Sequence, residues 1–340
     1  MNAMYSLVLV LALVLIALVG VGGAHMETVF GICIPVAAII TFLVGFAYRI
    51  FYWAKSPVPF RIPTTGGQQQ SLEWIKQDKW DNPSTGPQTF ARMLLEVLTF
   101  RSLFRNTRAG MDKEAGQVTY TTALGLWLFA LIFHYSFLII VIRHLRLFFE
   151  PVPAFVNFVA GLDGIFQIAT PVLYMTDLGI VVGLLFLLGR RFWDAKIRYI
   201  SLVNDYFPLF LILGVALSGI YMRYIVKVDV IAIKQLTMNI VHLHWVVPKG
   251  VDASLFVHLF LVSCLLVYIP FSKLMHMGGV FLSPTRNMPN DSRIRHHENP
   301  WNPEVAYHTY EAYEDDFREP MAEAGLPLDK PLADGPAEDA

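Results

Sequence analysis

Four histidines of this 340-residue chain stand inside long apolar stretches, where ionisable side chains are costly and mark functional sites by default. His134 and His144 lie ten residues apart in HYSFLIIVIRH, and His258 and His276 lie eighteen apart in HLFLVSCLLVYIPFSKLMH. On an α-helix the ten-residue step covers about 15 Å and returns near the same side; the eighteen-residue step covers about 27 Å and five full turns, before any bend at Pro270. If the two helices run in opposite directions, His134 shares a depth with His276, and His144 shares a depth with His258. Two imidazole nitrogens facing each other are the axial donor set of an iron porphyrin. Bis-imidazole ligation leaves no open position, which favours electron transfer over oxygen chemistry. The chain has no C-x-x-C-H segment, so the implied pair of haems is non-covalent, of b type. One intramembrane histidine alone reads more simply as an interhelical hydrogen bond; four at complementary depths point to two haems.

Other charged residues fit around this arrangement. Haem propionates want cations near the membrane surface, and Arg143, Arg146 and Arg223 fall at one end of the expected bundle, with Lys273, Arg190 and Arg191 at the other. Each of these reads equally well as an interfacial side chain snorkelling to water. Asp177 is the acid expected deepest within a span, either a proton relay or a hydrogen-bond partner of a neighbouring helix. His242 and His244, in NIVHLHWVVP, read as interfacial residues at the outer surface. His296, His297 and His308 read as contacts or solvated residues of a polar tail, and Cys33 and Cys264 as small packing residues.

The elements that must position these residues follow from composition. Hydrophobic residues make up 55% of the chain, charged residues only 16%, and mean hydropathy is +0.50. Soluble domains carry about 25% charged residues, so a soluble enzyme is excluded. A net charge of -1 leaves no electrostatic footprint for nucleic acid, and two cysteines cannot build a disulfide framework or a tetrahedral zinc site. Six apolar runs, approximately 4–22, 29–53, 120–149, 165–189, 206–226 and 253–276, are long enough to cross a bilayer. The expected fold is therefore all-α, an integral membrane bundle of six transmembrane helices. Nineteen Lys and Arg in 54–119, after span four and from Lys273 on, against three on the other side, place both termini in the cytoplasm. Four regions result: two N-terminal spans (1–53), a cytoplasmic loop with an amphipathic helix (54–119), a four-helix di-haem bundle (120–276) and a cytoplasmic partner-binding tail (277–340). The helix in FARMLLEVLTFRSLFRNTR is suited either to lie on the bilayer or to dock a partner. From Glu311 on, ten acids, two bases and four prolines point to an extended end.

The ten- and eighteen-residue spacings, with Pro270-Phe271-Ser272-Lys273 before His276, resemble the haem b membrane subunit of respiratory nitrate reductase, the gamma subunit. The resemblance covers about 118–290. The added N-terminal span, the 54–119 segment and the tail with SPTRNMPNDSRIRHHENPWNPE resemble more closely the DsrM-type membrane subunits of the sulfite-reduction-associated DsrMKJOP complex. The resemblance implies a multi-pass protein of the cytoplasmic (inner) membrane with two haems b. It also implies oxidation of menaquinol, with electrons passing to a cytoplasmic iron–sulfur subunit that resembles heterodisulfide reductase, alongside other membrane and periplasmic subunits. It places a quinol site beside the outer haem near His144 and His258; His25, in the first outer loop of this sequence, is a candidate to border it. Arg143 stands where the nitrate reductase family has a small residue, a departure that bears on the detail of that site.

Two other classes compete. A secondary transporter using histidines in a proton pathway would show internal repeats and broken helices, and neither is apparent. A structural anchor without haem would have lost a ligand pair, and all four histidines are present.

Overall fold

The computed structural model describes residues 1–64, 66–112, 114–164, 171–294 and 307–332. They fall into two units, Met1–Arg295 and His296–Ala340.

In the first unit, α1 (Asn2–Gly22) is apolar on all sides, and a π-helical turn, Val29–Cys33, leads into α2 (Ile34–Ala54). Next come α3 (Gly86–Thr99), α4 (Arg101–Phe104) and a hairpin of β1 (Thr107–Asp112) with β2 (Gln117–Thr122). The membrane-type helix α5 (Leu124–His144) follows, then α6 (Ala154–Asp163), α7 (Met175–Trp193) and α8 (Ala195–Ile200). The rest is α9 (Val203–Ile220), prolonged by the π-helical Tyr221–Val226, then α10 (Val230–Val241), α11 (Ala253–Tyr268) and α12 (His276–Gly279). The second unit holds α13 (Tyr310–Glu323).

Among the described residues, five helices are long and apolar enough to cross a membrane: Asn2–Gly22, Val29–Ala54, Leu124–Leu147, Val203–Val226 and Ala253–Phe271. The expected sixth span, 165–189, corresponds to α7, which begins only at Met175; residues 165–170 lie outside the described residues. Asp177 stands in its first turn and Arg190 and Arg191 in its last, each sign at the end of the helix dipole that favours it. Asp177 is thus at a helix terminus, not deep within a span.

The helices pack as a bundle in which α1 lies on α9 and α11, α2 on α11, and α7 on both α5 and α9. One apolar cluster joins α1, Phe30, α7, α9 and α11 through Val10, Ala17, Phe30, Leu184, Leu211, Phe256 and Leu261. The two N-terminal helices therefore belong to the same core as the helices that carry the histidines. Close approach of α5 and α7 depends on Gly179 and Gly183, a small-xxx-small pair; a Cβ on Gly183 would stand 2.9 Å from the Phe133 Cβ.

Two sequence expectations are corrected, and the all-α fold carries a small exposed hairpin. Its Thr, Val and Tyr favour strand, and Gly116 takes the positive φ that its turn requires. The segment around FARMLLEVLTFRSLFRNTR is not one helix, because Phe100 adopts a left-handed conformation between α3 and α4. The acidic end is helical over α13. Thr309 caps its N-terminus, and Glu314 accepts the backbone N–H groups of Asp329 and Lys330 at 2.8 and 2.9 Å.

On the His134 side of the bundle, the loops around α3 fold back on 280–294. Arg61 donates to the Asp81 carbonyl at 2.9 Å, Ile62 N–H to the Pro284 carbonyl, and Asn290 to the Asn82 side chain. Asp81 gathers Arg92, Arg101 and Arg105, and Arg92 bridges to Glu96 at 2.9 Å. Burial alone raises the Glu96 carboxyl, but hydrogen bonds from Ser102 and Arg92, with the nearby Arg286 charge, hold it below the ordinary carboxylate value. Burial, with Arg92 and Arg286 nearby, pulls Arg61 down to about 10.

Candidate functional site

Helix α5 carries His134 at its middle and His144 at its end; α11 carries His258 in its second turn. His276 is not on α11, contrary to the single-helix expectation. The helix ends at Tyr268, passes through a 3-10 turn at Ile269–Phe271, and stops at Ser272, whose backbone is extended. Pro270 supplies no N–H to the ladder, and the Ser272 hydroxyl caps the next turn by accepting Leu274 N–H at 3.2 Å. The five-turn argument therefore fails beyond Pro270, yet α12 brings its first residue, His276, back beside His134.

The rings meet in two pairs. The centres of His134 and His276 are 5.9 Å apart with planes at 79°, and those of His144 and His258 are 6.4 Å apart with planes at 18°. Two imidazoles sharing one metal, each at about 2.0–2.1 Å, hold their centres roughly 6 Å apart, so both separations suit one ion between each pair. The Nδ1 atoms are all engaged: with the Ala130 carbonyl at 2.8 Å for His134, Ile140 at 2.7 Å for His144 and Lys273 at 2.9 Å for His276. His258 Nδ1 lies 2.9 Å from the Ser218 hydroxyl, which itself donates to the Val215 carbonyl at 3.0 Å and so accepts from the ring. Each ring thereby presents a free Nε2 lone pair, with its second nitrogen fixing tautomer and orientation. Among the described residues no group of three or more His, Cys, Asp or Glu is gathered. Sites with two protein nitrogens suit an iron whose other four donors come from a porphyrin, and the residues present fit that group. Helices α5 and α11 pack on their neighbours rather than closely on each other, and Gly219 keeps the space beside His258 open, since a Cβ there would lie 3.3 Å from the ring.

Around the His144–His258 pair, Arg143 is buried and held by two acids: its Nε is 2.9 Å from Asp163 and its Nη2 2.8 Å from Asp177. Asp163 also accepts from Thr176 N–H and hydroxyl, at 2.9 and 2.6 Å, and Tyr224 donates to Asp177 at 2.7 Å. Arg143 and Arg223 both lie over the Tyr174 ring, 3.7 and 4.4 Å from its centre. Asp163, Thr176, Tyr174, Tyr224 and Ser218 were not singled out from the sequence. The adjoining glycines made Asp163 look like loop, and lone hydroxyls in apolar helices carry no spacing signal.

The remaining expected residues are dispersed. Arg146 is exposed just past α5, and Lys273 is bonded to Asp205 at 2.7 Å. Arg191 donates to the Ser201 hydroxyl. His25 is largely exposed, with the Glu27 carboxylate 3.7 Å away. His242 and His244 are exposed just past the end of α10. His308 faces Asp316 at 3.2 Å within the second unit, while His296 and His297 lie outside the described residues. Cys264 packs against the core, but Cys33 is exposed rather than packed. A contact that sequence reasoning missed covers the other pair: the Phe100 ring stands edge-on to His134, centres 4.9 Å apart.

Residues 90–288 match the family described as nitrate reductase gamma subunit. The chain is 46% identical, over 81% of its length and 84% of the relative's, to a protein of Archaeoglobus fulgidus named Hdr-like menaquinol oxidoreductase cytochrome b-like subunit. A protein of Archaeoglobus profundus with the same name is 42% identical over 79% of this chain and 82% of its own.

Proposed function

Because the chain belongs to the nitrate reductase gamma subunit family, we propose that it is the DsrM-type membrane cytochrome b of a menaquinol oxidoreductase, holding two haems b through His134 with His276 and His144 with His258. The observation that carries this reading is the meeting of four imidazoles in two pairs, their ring centres 5.9 and 6.4 Å apart, with every Nδ1 already engaged. When bound, each haem supplies reversible one-electron chemistry without an open coordination position. The protein's part is to aim the four imidazoles, to keep water from them with apolar helices, and to neutralise carboxylates at the two surfaces. Arg146 and Arg223 would serve propionates near His144 and His258; Arg143 is already paired with Asp163 and Asp177, and Lys273, the cation beside His276, with Asp205.

Menaquinol binds at the outer, His144–His258 level, where Asp177, hydrogen-bonded by Tyr224, is the candidate to take a proton. Electrons leave at the His134–His276 level to a cytoplasmic iron–sulfur subunit resembling heterodisulfide reductase, within a complex serving dissimilatory sulfur metabolism. Both termini lie in the cytoplasm. A reduced-minus-oxidised spectrum with a pyridine haemochrome assay on the purified chain tests the reading. Two haems b per chain, reducible by a menaquinol analogue, are expected; a folded chain taken from its native complex without haem would overturn it.

A further inference from the structure

Helix α3 is folded inside out. Its charged and polar residues face the protein: Arg92 is 5% exposed and Thr89 6%, and Glu96 is shielded between Arg92 and Ser102. Its large apolar residues face outward: Phe90 is 65% exposed, Leu94 44% and Leu98 53%. Spaced i, i+4 and i+8, these three form one stripe along the helix. A shallow hollow lined by Lys79, Trp80, Pro87, Gln88 and Ala91 adjoins its N-terminal end, and Trp74 and Trp80 are exposed with Lys76 and Lys79 beside them.

We propose that this face is not a protein-docking surface but lies in the bilayer, at the boundary between headgroups and acyl chains on the His134–His276 side. Three observations favour lipid over a partner chain. The helix is tied to a membrane span: Trp127 Nε1 donates to the Thr99 carbonyl and the Tyr135 hydroxyl to the Leu98 carbonyl, both at 2.7 Å, and both donors belong to α5. These bonds satisfy C-terminal carbonyls that a helix leaves orphaned, a need that becomes acute where water is scarce. Leu124 and Leu128, on the same helix α5 that supplies these donors, are themselves exposed apolar residues. Its surroundings, Trp with Lys, have the composition of a segment lying in a membrane interface. Bilayer contact thereby also holds the end of α3, and with it Phe100, against the His134 ring.

Site-directed spin labelling tests the placement without reference to haem. The full chain, with Cys33→Ala and Cys264→Ala, carries a nitroxide at Leu94→Cys, or separately at Phe90→Cys in case one label disturbs folding. It is reconstituted in phosphatidylcholine–phosphatidylglycerol bilayers, alone and assembled with its native partner subunits. In both states the labels at 94 and 90 are expected to be reached by oxygen and shielded from an aqueous nickel chelate, with the reverse for a label at Lys76→Cys. Nickel access at both outward positions would overturn the proposal. So would loss of both accessibilities: on assembly it would reveal a partner chain on this face, and in the isolated protein a second copy or another segment of the chain.

Discussion

His258 shares its Nδ1 with a hydroxyl, whereas His134, His144 and His276 use backbone carbonyls. This difference makes Ser218 the one orienting partner that mutation can remove. Ser218→Ala is expected to retain the bundle but to weaken retention of the iron at the His144–His258 site by about 10–100-fold, the usual effect of losing such a partner, as read by haem content after mild detergent washing. The pairing itself is checked by substitution at each ligand. His134→Ala or His276→Ala should lower the haemochrome count from two to one and leave the same single spectrum, and His144→Ala or His258→Ala should leave the other. Loss of both haems from every single variant, with the helices still folded, would contradict the pairing. The four histidines were legible in the sequence, because a histidine in an apolar run is conspicuous, and helical spacing converts number into depth for His134 and His144 but not across the break at Ser272. The ion cluster of Arg143, Asp163 and Asp177 was not, since the groups come from three elements whose approach no local pattern encodes.

Elements set what those residues can reach. The crossing of α5 and α7 rests on Gly183 against Phe133, so Gly183→Leu forces the helices apart; a cost of about 1–3 kcal/mol is expected from overpacking, visible as a lower Tm in detergent. Around α3, the Glu96 carboxyl is held below the ordinary carboxylate pKa by Ser102, Arg92 and Arg286. A lowered native pKa means stability that is fully present above the ordinary carboxylate value and lost as pH falls from there through the native value. Acid unfolding of the α3 region should therefore steepen below about pH 4.5, and Glu96→Gln should flatten that part of the curve in a fluorescence titration. The apolar period of α1, α2, α5 and α11 announced these helices directly. The end of α11 at Ser272, the start of α7 at Met175 and the hairpin were harder to read, because a proline, a cap and a glycine turn each act over one or two residues within a long hydrophobic average.

At the scale of the molecule, the four histidines lie within the unit Met1–Arg295, and α13 within His296–Ala340. Removal of 296–340 is expected to leave haem content and the reduced spectrum unchanged while lowering recovery of partner subunits on affinity purification; loss of haem on truncation would show that the second unit supports the bundle. The overall class was the most legible property of all, since composition alone excludes a water-soluble fold, but the place of the N-terminal helices was not. Hydropathy marks α1 as a span without saying what it touches, and the structure packs it on α9 and α11, with the Ser6 hydroxyl 3.2 Å from the Val203 carbonyl. That arrangement has a consequence for biosynthesis. Helix α1 leaves the ribosome well before α9, which begins about 180 residues later, a delay on the order of 10–40 s at ordinary translation rates. During that interval α1 must be stable in the bilayer without α9 and α11, which its apolar run, free of charge from Asn2 to Gly22, permits.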